Sequence, residues 1–373
     1  MEDPDHDGAE SSGAPVRLKD VAARAGLSLA TVSYAMRNSP MVSKATAKRV
    51  QALAKKMGYV PSPAMGALAE YKRRAGKANT KQSGFSMLAI VHAYSKGQWP
   101  GQLNRRRVFE SIEKRAGELG YKVEVFDAGQ SRESQRRCSR MLYNRGITGL
   151  FVAPHLYNER NCVPVILDWR HFVAISVLNE QPERKLHVVM PSWVRNRQIV
   201  LKQIAQCPEA SVGAFVTKVH SAWIGGLSET FIPHVNLLDG IPATWVPTHL
   251  ADDYNKPLFL KWFDRYKPRV IVTNIEWVPT WLRELGLRVP EEHGVIFIDQ
   301  VQEEWRSGID VLPRHIGITA MNLMHDQLRN MNLGLPEHPY RLTVPGQWHA
   351  GETFDPEKMR PSNHHNPDPL EPA

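Results

Sequence analysis

Val16-Arg-Leu-Lys-Asp-Val-Ala-Ala-Arg-Ala-Gly-Leu-Ser-Leu-Ala-Thr-Val-Ser-Tyr-Ala-Met-Arg-Asn38 is the stretch from which the fold is read. Leu18, Val21, Ala22 and Ala25 stand at i, i+3, i+4 and i+7, one face of a short helix. Gly26 supplies the left-handed residue that ends it, and Ser28 N-caps a second helix. In that helix Val32 and Met36 turn inward, leaving Leu29, Ala30, Thr31, Ser33 and Tyr34 to face outward. Ala22, four residues before Gly26, is small enough for the two helices to cross closely at the turn. Ser43 caps a third helix that buries Val50, Leu53, Ala54 and Met57, and Gly58 ends it. Three short helices around one small core predict an all-α helix-turn-helix domain over residues 16–60. In such a domain the second helix lies in a DNA major groove with its N-terminal residues on the base edges.

Charge along the chain agrees. Residues 1–15 hold five acids and no Lys or Arg, whereas residues 16–81 hold 14 Lys and Arg against only Asp20 and Glu70. That segment carries a net +12, while the whole 373-residue chain carries only +9. A compact cationic module on a nearly neutral remainder is the electrostatic footprint of a protein that meets phosphate.

The wording of the segment resembles the head of the lac/purine repressor (LacI-type) family, as do Val42-Ser-Lys-Ala-Thr46 and Met57-Gly-Tyr-Val-Pro61. The likeness runs nearly gap-free over residues 17–69. It implies that Ser28, Thr31, Ser33, Ser43, Thr46 and Tyr59 fall on phosphate-contacting positions, where hydroxyls and helix N-termini suit an acceptor-only partner. Arg17, Leu18 and Arg37 complete that DNA-contacting set. Leu29, Ala30 and Tyr34 fall where the family reads bases, and here they depart from the bulkier polar groups of its best-known members. Leu29 and Ala30 can pack on a thymine methyl, and the Tyr34 hydroxyl can bond a base edge or a phosphate. The operator expected is therefore not that of those members.

Pro61, Ser62 and Pro63 stop the third helix, and Ser62 can N-cap another with Pro63 at its first position. Residues 61–83 are expected to be a hinge helix and linker. By the resemblance, Leu68 wedges between minor-groove base steps, with Met65 and Ala69 beside it. Gly66 departs from the pattern and weakens the helix by roughly 0.5–1 kcal/mol relative to Ala. The basic residues Lys72, Arg73, Arg74, Lys77 and Lys81 fit either phosphate contact or a solvated linker.

Residues 84–351 alternate short apolar runs with amphipathic stretches. Strands are expected at Phe85–Val91, Tyr121–Phe126, Ile147–Ala153, Ser211–Thr217, Val270–Thr273 and Gly294–Ile298. Helices are expected at Leu103–Leu119, Arg132–Arg145 and Val278–Leu285. Alternation with short connections means parallel sheets covered on both faces, and two α/β lobes account for it. Pro268-Arg-Val-Ile-Val-Thr-Asn-Ile-Glu276, Leu285-Gly-Leu-Arg-Val-Pro290 and Val295-Ile-Phe-Ile-Asp299 resemble the family's second lobe. The resemblance implies a two-lobed, periplasmic-binding-protein-like sensor and dimerisation domain with the ligand in the cleft. Asn274 and Asp299, at carboxyl ends of strands, stand as effector contacts suited to a hydroxyl-rich ligand. The arginine that clamps ligand in the family is missing, and Trp223 stands nearby as a stacking surface. Trp193, Trp223 and Trp277 equally fit a core or rim. Residues 1–15 and 352–373, rich in Pro, Gly and charge, are expected to be disordered tails.

Cys138, Cys162 and Cys207 lie far apart without a CxxC, arguing against a zinc site or disulfide framework. No apolar run reaches the roughly 18 residues of a membrane span, and the acidic N-terminus does not read as a secretory signal; a cytoplasmic protein is expected. No HExxH, GxSxG or Gly-rich phosphate loop supports catalysis, and no cofactor or metal is expected. These features point to a homodimeric regulator, a repressor, binding a double-stranded, pseudo-palindromic operator and modulated by a sugar-like effector. Two other readings stay open: a DNA-binding regulator whose sensor only dimerises, and a carbohydrate-binding or catalytic α/β protein with a vestigial head.

Overall fold

The computed structural model describes residues 16–36, 42–59, 86–94, 103–154, 163–181, 185–223, 244–252, 255–299 and 303–359. Arg37 and the hinge residues Ser62, Met65, Leu68 and Ala69 lie outside the described residues, as do both outer tails, 1–15 and 360–373. The chain forms two compact units, residues 1–84 and 85–373.

In the first unit, helices α1 (Leu18–Ala25), α2 (Leu29–Met36) and α3 (Lys44–Lys56) close one core. Val21, Val32 and Val50 are fully buried at its centre, ringed by Ala22, Ala35, Ala47 and Ala54. Gly26 adopts φ +65°, so its N–H and that of Leu27 turn back onto carbonyls of the last turn of α1. The buried stripe of α3 runs through Ala47, Val50 and Ala54, which corrects one expectation: Leu53 sits on the flank and is only partly buried. Met36 and Met57 likewise edge the core and do not fill it. The Gln51 amide donates to the Ala35 carbonyl at 2.9 Å and ties α3 to the end of α2.

The second unit has two lobes. Lobe 1 is a six-stranded parallel sheet ordered β12-β5-β4-β3-β1-β2. Its strands are β1 (Ser86–His92), β2 (Tyr121–Asp127), β3 (Gly149–Val152), β4 (Val173–Val177), β5 (His187–Pro191) and β12 (Arg341–Val344). Helices α4 (Leu103–Glu118), α5 (Arg132–Asn144) and α10 (Pro313–Arg329) cover it. Lobe 2 holds α6 (Trp193–Ile204), β6 (Ser211–Thr217), α7 (Lys218–Trp223), β7 (Thr244–Trp245), β8 (His249–Ala251) and α8 (Lys256–Tyr266). It continues through β9 (Val270–Thr273), α9 (Val278–Glu284), β10 (Gly294–Phe297), β11 (Gly308–Asp310) and β13 (Gln347–His349). In its sheet β13 alone pairs antiparallel, against β11. The elements expected from hydrophobic periodicity recur within a residue or two, save that β3 is shorter than its apolar run.

Between the lobes the described chain crosses after β5, after β11 and after β12, each time from the carboxyl end of a strand. The carboxyl ends of both sheets therefore face the interlobe cleft, where open α/β sheets bind ligands. Helix α10 lies against α4 with backbone-level closeness at Gly317. A Cβ there would fall 2.0 Å from Ser111 Oγ and 2.3 Å from the Val108 carbonyl.

The expected disordered tail from residue 352 is corrected: residues 352–359 belong to lobe 2. Phe354 and Met359 are buried in its core. Val295 N–H donates to the Thr353 carbonyl at 2.7 Å, and the Thr353 hydroxyl donates to the Val295 carbonyl at 2.8 Å. Two apolar side chains and a run of satisfied backbone groups outweigh the polar composition that surrounds them.

Candidate functional site

Helix α2 presents its N-terminal half outward. Leu29 is 52% exposed, Ser28 and Ala30 are exposed, and Thr31, Ser33 and Tyr34 are half-buried. An exposed leucine at the first turn of a short helix has no packing explanation inside the head. The Ser28 hydroxyl accepts from Thr31 N–H at 3.1 Å and lies 2.8 Å from the Thr31 hydroxyl. Ser43 repeats the device at α3, accepting from Thr46 N–H at 3.1 Å and lying 2.9 Å from the Thr46 hydroxyl. Within each Ser–Thr pair one hydroxyl hydrogen joins the two oxygens and the other remains to donate outward. Both pairs sit at helix N-termini, where backbone N–H groups add positive potential. Such a point suits an oxygen anion and not a cation. Arg17 begins α1, its N–H donating to Asp20 Oδ2 at 2.8 Å, and its side chain is exposed. Leu18 and Tyr59 are half-buried against the head's core.

Asn274, just past β9, is half-buried and engages Thr217. Its Oδ1 accepts from Thr217 N–H and its Nδ2 donates to the Thr217 hydroxyl, both at 3.0 Å. The amide thus fastens the end of β9 to the β6–α7 turn. Trp223 closes α7, and its side chain lies outside the described residues. Asp299 is 5% exposed and faces His220, a residue that sequence reasoning passed over. His220 Nε2 lies 2.8 Å from Asp299 Oδ2, within ion-pair distance but without hydrogen-bond alignment. Both His220 ring nitrogens and Asp299 Oδ1 are buried without a hydrogen-bond partner among the described residues. A buried polar group left unsatisfied costs about 1–3 kcal/mol, and His220 Nδ1 and Asp299 Oδ1, which face no partner in the pair itself, are able to take a further polar contact. The Trp193 ring meets His220 edge-on at 5.9 Å.

Lobe 1 supplies the facing wall. Tyr94, just past β1, donates its hydroxyl to the Pro154 carbonyl at 2.6 Å. The Arg105 guanidinium lies over the Tyr94 ring at 5.9 Å, and Gln181 donates to the Ala153 carbonyl at 3.1 Å. Asn104 reaches across to the Asp299 carbonyl at 3.4 Å. A separate depression of about 340 Å³, lined by Arg283, Pro290, Glu291, Glu352 and Lys358, lies beside the loop that leads into the amino end of β10. It is away from Asp299, and the Lys358–Glu291 ion pair already neutralises part of it. Among the described residues no group of His, Cys, Asp and Glu could hold a metal, and no helix is long and apolar enough to cross a membrane.

Residues 17–62 match the model of the bacterial regulatory proteins, lacI family. The HTH-type transcriptional repressor PurR of Escherichia coli O139:H28 (strain E24377A / ETEC) is 28% identical over 162 residues, 41% of this chain and 42% of that protein. PurR of Salmonella arizonae (strain ATCC BAA-731 / CDC346-86 / RSK2980) matches to the same extent. The chain thus spans less than half the length of the curated relatives it matches. Among solved structures, a transcriptional regulator CelR–cellobiose complex superposes with TM-score 0.53 at 18% identity, over 91% of this chain and 99% of that one. The lac repressor dimer bound to operator and the anti-inducer ONPF superposes with TM-score 0.54 at 17% identity and the same coverage. These likenesses establish the fold of the body. The head of the chain, residues 17–62, is thus similar to the lacI family of bacterial regulatory proteins, and its body has the two-lobed α/β fold seen in these neighbours.

Proposed function

We propose that this protein is a homodimeric transcription regulator, a repressor, that binds a pseudo-palindromic operator and is not an enzyme. The observation that carries the reading is the exposed first turn of α2, with Leu29 solvated and Ser28 and Ser43 capping helices in a segment of net +12. In this reading Ser28, Thr31, Ser33, Ser43, Thr46 and Tyr59, with Arg17, Leu18 and Arg37, hold phosphate. Leu29, Ala30 and Tyr34 touch bases, and Ser62, Met65, Leu68 and Ala69 form the hinge that enters the minor groove. Two heads on a molecular dyad read two half-sites. The protein works where its DNA is, in the cytoplasm.

In this reading the cleft is the effector site, with Asp299 and His220 as its polar floor and Trp223, at the end of α7, as a further contact. Asn274 acts there by holding Thr217 and the turn. The small molecule acts by binding the two lobe arrangements with different affinity. Repressor action and a ligand in the cleft agree with PurR, with the CelR–cellobiose complex and with the lac repressor complex as they are named.

A gel shift on the chain's own upstream region, repeated across salt concentrations, tests the DNA reading. Binding that weakens as counterions compete is expected; a salt-insensitive shift, or none, overturns it. Tryptophan fluorescence during titration with a panel of sugars and nucleosides tests the cleft. A saturable change lost in His220→Phe and Asp299→Asn supports it; no response across the panel favours a body that only dimerises.

A further inference from the structure

Helix α5 turns a row of arginines to solvent on lobe 1. Arg132, Arg136 and Arg140 are all exposed and stand four residues apart, on one face of the helix. At a rise of 1.5 Å per residue their Cα atoms step by about 6 Å, comparable to the spacing of successive phosphates on one nucleic-acid strand. Nearby cations are neutralised: Arg137 pairs with Glu133 at 2.7 Å, Arg145 with Glu124 at 3.3 Å and Arg170 with Asp168 at 2.7 Å. The three in the row make no ion pair among the described residues. Tyr143, 55% exposed and 4.5 Å ring to ring from His171, ends the row.

The row also has a direction. Helix α5 runs from the carboxyl end of β2 back to the amino end of β3, so Arg140 and Tyr143 lie toward the amino rim of the sheet. That rim is opposite the strand ends from which the chain crosses to lobe 2.

We propose that this arginine row is a second nucleic-acid contact, gripping backbone phosphates of the duplex that flanks the operator without reading bases. It rests on the operator reading of the head. Guanidinium forks match phosphate oxygens, and contacts of this kind need only spaced cations. A protein partner would instead need a desolvated apolar anchor at the centre of the patch. The exposed residues around the row are Glu133, Arg137 and Asn144, with Tyr143 only at its edge.

The test is the full-length triple variant Arg132→Gln/Arg136→Gln/Arg140→Gln, compared with the wild type on two duplexes. One is the operator core selected by the wild type from a random pool, and the other is the same core with long flanks. Glutamine keeps helix propensity close to that of arginine, and an unchanged melting temperature confirms the fold. Three lost contacts at about 0.9 each should make log K against log salt shallower by about 2.7 per engaged protomer. Between 50 and 200 mM salt that is about 40-fold less loss of affinity, seen on the flanked duplex and not on the bare core. Equal slopes for wild type and variant on the flanked duplex overturn the proposal while leaving the head reading intact. Equal slopes accompanied by loss of polyglutamate binding also overturn it, in favour of an acidic protein partner. Should the wild type select no operator, the head reading fails on its own. The row is then judged on long random duplex, where the variant must still show the shallower slope.

Discussion

Leu29 opens α2 with 52% of its surface in water, while Val32, three residues on, has none. Replacing Leu29 by Ala removes an apolar group that the head's core does not use. The folded head should therefore keep its melting temperature within the small range of surface substitutions, about 0.5 kcal/mol. On DNA the outcome differs. Fully burying a leucine side chain is worth about 1.5–3 kcal/mol, and the half still exposed can contribute about 0.8–1.5 kcal/mol at each half-site. A dimer on two half-sites loses roughly 1.5–3 kcal/mol, a weakening of about 10- to 150-fold. Fluorescence anisotropy on the selected operator measures it, with calorimetry on the same preparation. Val32→Ala is the counterpart: it opens a cavity in the head's core, costs about 2 kcal/mol of stability and lowers DNA binding only by unfolding the head. Were Leu29→Ala to melt the head like Val32→Ala while the folded fraction bound as before, Leu29 would be a core residue and the assignment of α2 wrong.

Phe354→Ala should destabilise the body by roughly 3–5 kcal/mol, lowering its melting temperature by on the order of 10 °C; a truncation at 351 should do at least as much. An unchanged melt would return residues 352–359 to the status of a tail. Acid should weaken the body as well. Burial lowers the pKa of His92, His187 and His293, opposed by Asp127 at His92, Gln327 at His187, and the Pro268 carbonyl and Glu292 at His293. With folded pKa values below the unfolded one, the unfolded chain takes up these protons first. Their contribution is complete above about pH 6.5 and falls as pH drops below it. Calorimetry at pH 7.5 and 5.5 checks this, and equal stability at both rejects it.

Most of the architecture was legible because it rests on local signals. Gly26 and Gly58 end helices, Ser28 and Ser43 start them, and period-3.6 and continuous apolar runs separate helix from buried strand. What stayed hidden depends on distant partners. Strand β12 looks like neither a core nor an alternating strand (Leu342 is exposed), and it exists because β5 offers it a parallel edge. Phe354 stands among polar residues in the sequence, and it is buried because Gly294 leaves room for its ring. At the cleft, Asp299 was visible from its place after a strand. His220 carried no motif, and its part comes from a fold that brings the ends of β6 and β10 together. Asn274 stands out in the sequence only by its place after a strand; its engagement with Thr217 is a contact 57 residues apart that spacing cannot announce.

The decisive experiment is selection of duplexes from a random pool by the purified protein, followed by affinity measurement on the winner and on scrambled DNA. The account predicts a two-fold symmetric winner bound at least about 10³-fold more tightly than scrambled sequence, with affinity falling steeply as salt rises. A pool that stays random at low salt, with no duplex preferred over any other, would contradict it.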